Sequence, residues 1–364
     1  MSLVRLARLG AEAAKNNFYR LERPYKLTFA ITYRCQSRCV TCGIWKMKPE
    51  GELDIKEIEE FARKNPYFRW IEITGGEPFL RADIVEIVRA FSRNCKGLYV
   101  LTMPTNSLCN KEMALSKIEE MLSMGIPKLS ITVSLDGYKE MHDSIRGVPG
   151  NFDKAIEMFK GLEALKKKHR NLYFVFGYTL SKQNQNAFWR TFNEVKARIP
   201  NLRVNNFHIN IAQVSESYYK NGESNIAADR MVAADVVMEV LKRRKAEAGA
   251  IPVMEDIFLN RLVDYLVDGK QPVKSKSLDA SLFMDSFGDV YPSIMWGRKI
   301  GSIRESGYYL DKIWNSEAAG EVRRLIDEGK EPSSWTACEA YQSIAGDIYG
   351  SVISRRRRVS NARI

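Results

Sequence analysis

Three cysteines, Cys35, Cys39 and Cys42, stand in the spacing C-x3-C-x2-C directly after the apolar run Leu27-Thr28-Phe29-Ala30-Ile31-Thr32. This stretch constrains the fold most, because it asks one strand to deliver three soft ligands into one loop. Thiolates suit zinc or iron–sulfur iron. A structural zinc site takes a fourth protein ligand close by, yet the next cysteine is Cys95 and the nearest histidine is His142. Three thiols on a single loop suit a cubane cluster with one open iron.

Beyond the loop, strand-like and helix-like runs alternate, the pattern of βα units in a parallel sheet. Strands are expected at 27–32, 70–74, 98–103, 129–135, 173–180 and 204–211. Between them, apolar residues such as Ile55, Ile58 and Phe61, or Ile84, Ile87, Val88 and Phe91, recur at helical steps. Asn151 reads as the N-cap of a helix that passes through Ile156, Phe159 and Leu162 and ends at Lys166-Lys167-Lys168, where cations complement the helix dipole. The fold class is therefore α/β, with six units forming a partial (βα)6 TIM-type barrel. Chemistry in such barrels sits at the carboxyl ends of the strands.

Further motifs fall at those ends: Gly75-Gly76-Glu77-Pro78, Thr105-Asn106, Ser134-Leu135-Asp136-Gly137 and Ile145-Arg146-Gly147. Adjacent glycines let backbone approach a ligand closely, although a tight strand-to-helix turn wants them too. Together with the cysteine loop, the series resembles the radical SAM superfamily. The resemblance implies a [4Fe-4S] cluster on Cys35, Cys39 and Cys42 whose fourth iron chelates S-adenosylmethionine. It also implies a SAM site built from Gly75, Gly76, Glu77, Pro78, Thr105, Asn106, Ser134 and Asp136, with Arg146 on the carboxylate and Leu180 on adenine. The implied reaction reductively cleaves SAM to a 5′-deoxyadenosyl radical, which takes a hydrogen atom from a substrate, so no side-chain acid or base is required. Thr41 departs from the family pattern, which usually has an aromatic residue just before the third cysteine.

Substrate contacts are expected from the polar run after the sixth strand: His208, Asn210, Gln213, Ser215 and Tyr218. His208 reads equally as a hydrogen-bonded structural histidine. Cys95 and Cys109 have no partners by spacing and read as structural.

Toward the C-terminus, Phe283 to Pro292 has the form of a β-hairpin around Gly288-Asp289, followed by Ile300-Gly301-Ser302-Ile303 and Ile313-Trp314. This resembles the SPASM/twitch modules of radical SAM enzymes, which hold an auxiliary iron–sulfur cluster. Here Ser275, Ser293 and Ser334 stand where ligands are expected, and only Cys338 is a thiol. Hydroxyls are poor soft-metal ligands, so a normal four-cysteine cluster is not expected. Loss in the lineage and deliberate replacement both fit the pattern. The chain thus divides into an N-terminal amphipathic helix (1–24), the barrel (25–215), a helical linker (216–270), the twitch/SPASM-like module (271–340), and a C-terminal helix with a basic tail (341–364).

Hydrophobic content of 45% and 27% charged residues suit a globular protein, and no apolar run approaches a membrane span. With no secretory signal and with cysteines kept for metal, a cytoplasmic, anaerobic setting is expected. The net charge of +12 includes Arg355 to Arg358 and Arg363. Such charge can steer an anionic substrate, but no nucleic-acid-binding motif accompanies it. Leu3, Leu6 and Leu9 with Arg5 and Arg8 suggest a short helix docked on the barrel, with weak membrane-surface contact as the alternative. SAM, a one-electron reductant such as flavodoxin or ferredoxin, and an unidentified peptide, small molecule or lipid are the expected partners. The rival functions are a non-catalytic iron–sulfur or zinc protein and an RNA-modifying radical enzyme.

Overall fold

The computed structural model describes residues 2–247 and 253–348. Helix α1 (Ser2–Lys15) leads into β1 (Lys26–Thr32), α2 (Ile55–Lys64), β2 (Trp70–Gly75), α3 (Ile84–Asn94), β3 (Val100–Thr105), α4 (Lys111–Leu122) and β4 (Lys128–Ser134). Then come α5 (Lys139–Arg146), α6 (Asn151–Lys168), β5 (Leu172–Leu180), α7 (Phe188–Arg198), β6 (Phe207–Ile211), α8 (Arg230–Ala246) and α9 (Val253–Asp268). The remainder is β7 (Ser281–Met284), β8 (Asp289–Tyr291), β9 (Gly301–Ser302), α10 (Leu310–Trp314), α11 (Glu317–Asp327) and α12 (Ala337–Ala345).

Strands β1 to β6 lie parallel in sequence order, and β7-β8-β9 extend the same sheet beyond β1, with β7 parallel to β1 and the hairpin antiparallel. The expected partial barrel is present and its sheet is open. Alternation sorts each strand. On β1, Leu27, Phe29 and Ile31 join the apolar core shared with the outer helices. Lys26, on the other face, reaches Glu72 at 2.9 Å and Gln342 at 2.9 Å. Helix α12 spans the concave side: Gln342 meets β1 there, while Tyr341 Oη lies 3.4 Å from His208 Nδ1 on β6.

Local chemistry sets the helix starts. Asp54 and Glu57 form a reciprocal capping box on α2, and Asn110 and Asp229 cap α4 and α8. Asn151 is not a cap. It is the first residue of α6, and its Nδ2 donates 2.8 Å to the Asn106 carbonyl. Asp143 takes the capping role, accepting from Gly150 N at 2.6 Å and Phe152 N at 2.8 Å.

Two strands also depart from expectation by more than one residue. The third strand runs from Val100 to Thr105, with pairing to β2 ending at Thr102, ahead of Pro104 and its missing N–H. The sixth begins at Phe207, because Val204–Asn206 closes a 3-10 turn in which Arg203 N donates 2.8 Å to Asn206 Oδ1. The hairpin forms as expected, turning at Gly288 with φ +85°. Region 216–270 holds the packed pair α8 and α9. Arg355 to Arg358 and Arg363 lie outside the described residues.

Candidate active site

The cysteine loop is pinned on three sides. Gly76 N donates to Thr32 O at 2.7 Å and Glu77 N to Arg34 O at 2.9 Å, stitching the glycine turn to the loop's start. Arg38 N and Val40 N donate to Arg146 O and Ile145 O, both at 2.9 Å, at the end of α5. Gly43 N donates 2.7 Å to Tyr219 O, and Asn221 Nδ2 donates 2.9 Å to Thr41 O. The glycines are sterically required: a Cβ on Gly75, whose φ is +123°, would meet Thr32 O at 2.1 Å, and one on Gly76 would meet Arg34 O at 2.1 Å.

Cys35, Cys39 and Cys42 line one cavity of about 240 Å³ at the carboxyl ends of the strands. Among the described residues, no three His, Cys, Asp or Glu side chains converge as a single ion needs. The three thiols share that one chamber. Donors surround them: Asn106 Nδ2 lies 3.7 Å from Cys35 Sγ, Arg146 Nη1 lies 3.7 Å from Cys39 Sγ, and Ser37 Oγ lies 3.1 Å from Cys39 Sγ. Burial pushes the Cys35 thiol up to about 11 and Cys42 up to about 12. A bound metal would reverse that preference and release the protons.

Around the cavity, the structure brings Gly75, Gly76, Glu77, Thr105, Asn106, Ser134, Asp136 and Arg146 together. Glu77 is buried and accepts from Asn106 N at 2.6 Å, Thr105 Oγ1 at 3.1 Å and Phe79 N at 3.2 Å. Desolvation raises its carboxyl to about 7 despite those bonds. Asp136 Oδ2 pairs with Arg146 Nη2 at 2.7 Å, and its Oδ1 accepts from Thr179 N at 2.9 Å. His142 beneath them is held near pKa 3 by burial and by Arg146, so its neutral Nδ1 accepts from Asp136 N at 3.0 Å.

Asn210, Gln213 and Tyr218 also line the cavity, and Tyr218 Oη ties the segment to the glycine turn, 3.0 Å from Gly75 N. Four residues expected at the site lie outside it. Pro78 and Leu180 are buried in packing, and Ser215 Oγ accepts from Tyr218 N at 3.2 Å as a turn cap. His208 Nδ1 lies 2.9 Å from Glu255 Oε1 on α9, the arrangement of a structural histidine. Tyr219, expected with Tyr218 at the barrel mouth, lines the cavity, as do Trp45, Thr179 and Thr336, to which no sequence pattern points. Trp45 supplies an aromatic ring where Thr41 lacks one.

Of the C-terminal positions, Cys338 lines the cavity and donates to Glu72 Oε1 at 3.1 Å. Ser275, Ser293 and Ser334 do not line it. Cys95 is buried, 3.7 Å from Asn65 O, and Cys109 accepts from Gln36 Nε2 at 3.4 Å beside the cysteine loop.

The model of the Radical SAM superfamily matches residues 29–195. An AdoMet-dependent heme synthase of Methanosarcina barkeri is 30% identical over 181 residues, 48% of this chain and 47% of that protein. A GTP 3′,8-cyclase of Peptoclostridium acidaminophilum is 30% identical over 145 residues, 38% of this chain and 42% of that one. The chain therefore spans about half or less of these curated relatives. Among solved structures, native anSMEcpe with bound AdoMet shares the fold at TM-score 0.62 and 15% identity, covering 94% of this chain and 100% of that one. Streptococcus suis SuiB bound to S-adenosylmethionine does so at TM-score 0.60 and 17% identity, covering 88% and 72%. The segment 29–195, which opens with the cysteine loop, matches the radical SAM superfamily domain, and members of that superfamily are enzymes that bind a [4Fe-4S] cluster and SAM.

Proposed function

We propose that this chain binds a [4Fe-4S] cluster through Cys35, Cys39 and Cys42, cleaves SAM reductively, and abstracts a hydrogen atom from a substrate. The observation that carries this reading is the cavity itself, in which the three thiols share walls with the Gly75-Gly76 turn and the Asp136–Arg146 pair. When bound, the cluster supplies the electron that opens the SAM sulfonium and starts the radical chemistry. Asn106 and Arg146 stand ready to donate to the ligand sulfurs and so tune the site's potential. Trp45 offers an aromatic face toward adenine.

Asn210, Gln213, Tyr218 and Thr336 form the substrate wall. Among the described residues, the charged side chains lining the cavity are Glu77, Asp136 and Arg146, all engaged with protein partners. This favours a neutral, hydrogen-bonding substrate group over the anion suggested by overall charge. The relatives include enzymes named for heme, GTP and bacteriocin biosynthesis, so the family match leaves the substrate open. A cytoplasmic setting and a flavodoxin- or ferredoxin-type donor belong to the same proposal, as does descent of the 271–340 region from a cluster-bearing twitch/SPASM module.

The test is anaerobic reconstitution with iron and sulfide. The expected result is about four irons per chain and an electron paramagnetic resonance signal of the reduced protein that shifts when SAM is added. Iron binding with a spectrum indifferent to SAM would favour the non-catalytic reading.

A further inference from the structure

A surface helix ordinarily turns its apolar stripe inward. Helix α1 does the opposite. Its body-facing side is narrow and mixed: Arg5 Nη1 donates to Gly125 O at 2.9 Å and Leu98 O at 3.3 Å, while Leu9 and Ala13 pack on Leu21, Tyr25 and Ala280. The outward side carries Leu3, 80% exposed, with Val4 at 55% and Leu6 at 44%. Exposed Ala7, Gly10, Ala11 and Ala14 continue this arc, and Phe18 and Tyr19 lie beyond its end, exposed by 80% and 71%.

The charged residues fully exposed on the helix itself are cations. Arg8 and Lys15 are exposed along one edge, seven residues and so about two turns apart. The helix's single acid, Glu12, is half-buried on the body-facing side. Exposed Arg20 follows the aromatic pair. A wide apolar arc edged by cations, with aromatic rings at its end, is complementary to a bilayer surface carrying anionic headgroups.

We propose that α1 is a peripheral membrane anchor that lays this arc on anionic lipid. Leu3 and Leu6 enter the headgroup boundary, and Arg8 and Lys15 meet phosphates. Because Arg5 clamps α1 beside Leu98 and Gly125, at the amino ends of β3 and β4, the anchor lies at the base of the barrel. The cavity at the carboxyl ends then opens away from the bilayer. Nothing in this inference rests on the cluster or on SAM.

Flotation of the full chain with phosphatidylglycerol–phosphatidylcholine vesicles, compared with phosphatidylcholine alone, tests the anchor. Wild-type protein is expected to float with the anionic vesicles and to dissociate as salt rises. The pair Leu3→Glu with Leu6→Glu, and separately Arg8→Glu with Lys15→Glu, should each weaken binding by about tenfold or more. All four side chains are partly or wholly in solvent, so unchanged melting temperatures establish that the variants fold. Three results overturn the proposal: no flotation of the wild type with anionic vesicles; wild-type flotation of the leucine pair, with binding lost only on replacing Arg355 to Arg358; or a dimer in the absence of vesicles that the leucine pair dissociates. RNA binding that ignores the leucines, with no preference for anionic vesicles, assigns the surface to nucleic acid and also overturns it.

Discussion

Arg146 and Asp136 form a buried ion pair of 2.7 Å, and the same guanidinium lies 3.7 Å from the Cys39 sulfur. One side chain thus joins the end of β4 to the cysteine loop. Its replacement by Met strands a carboxylate in a dry site, so Arg146→Met should cost about 3–5 kcal/mol in chemical unfolding. Adding Asp136→Asn should recover part of that loss. Additive losses in the double variant would contradict the coupling.

Glu77 gives the metal-free fold a pH dependence. Burial raises its carboxyl from the ordinary range to about 7, so the folded state holds that proton more tightly than the unfolded chain. Glu339, also raised to about 7 by burial, acts in the same direction. Their contribution is fully present below the ordinary carboxylate range and is lost as pH rises through about 7. Melting temperature should therefore fall between pH 5 and pH 8, and Glu77→Gln should flatten the slope. An unchanged slope in that variant would assign the dependence elsewhere.

Gly76→Ala sets a methyl group against Arg34 O, where the Cβ position lies only 2.1 Å away. Because the obstacle is backbone, relief requires the loop to move. The variant is expected to remain folded in its outer helices while retaining less than half the wild-type iron after reconstitution. Full iron retention would show that the loop tolerates the shift.

Tyr218 bonds Gly75 N at 3.0 Å and Thr74 Oγ1 at 2.8 Å from the other side of the cavity. Tyr218→Phe leaves that backbone N–H without its tyrosine acceptor, at a cost of about 1–3 kcal/mol. Unfolding in denaturant measures the loss. Wild-type stability would mean that the hydroxyl is dispensable.

The cysteine loop, the Gly75-Gly76 turn and the strand order were legible because each is a local pattern: a spacing, a missing side chain, an apolar period. Depth and facing were not. His208 and Asn210 share a face of β6, yet two residues of strand differ in depth by roughly 7 Å, so Asn210 reaches the cavity while His208 meets Glu255. Leu180 fails by parity, since its neighbour Thr179 takes the inward face. Trp45 and Thr336 come from a turn and from the segment before α12, and neither carries a recognisable spacing. Asn151 does not cap α6 because Asp143, folding back from α5, accepts from its first backbone N–H groups.

The proposed reaction stands or falls on SAM cleavage at this cysteine loop. The direct measurement is 5′-deoxyadenosine formed by the reconstituted chain under strong reductant, beside Cys39→Ala. Product is expected from the wild-type chain and is expected to be lost in the variant. Iron-loaded wild-type protein that leaves SAM intact, or equal product from Cys39→Ala, would contradict it.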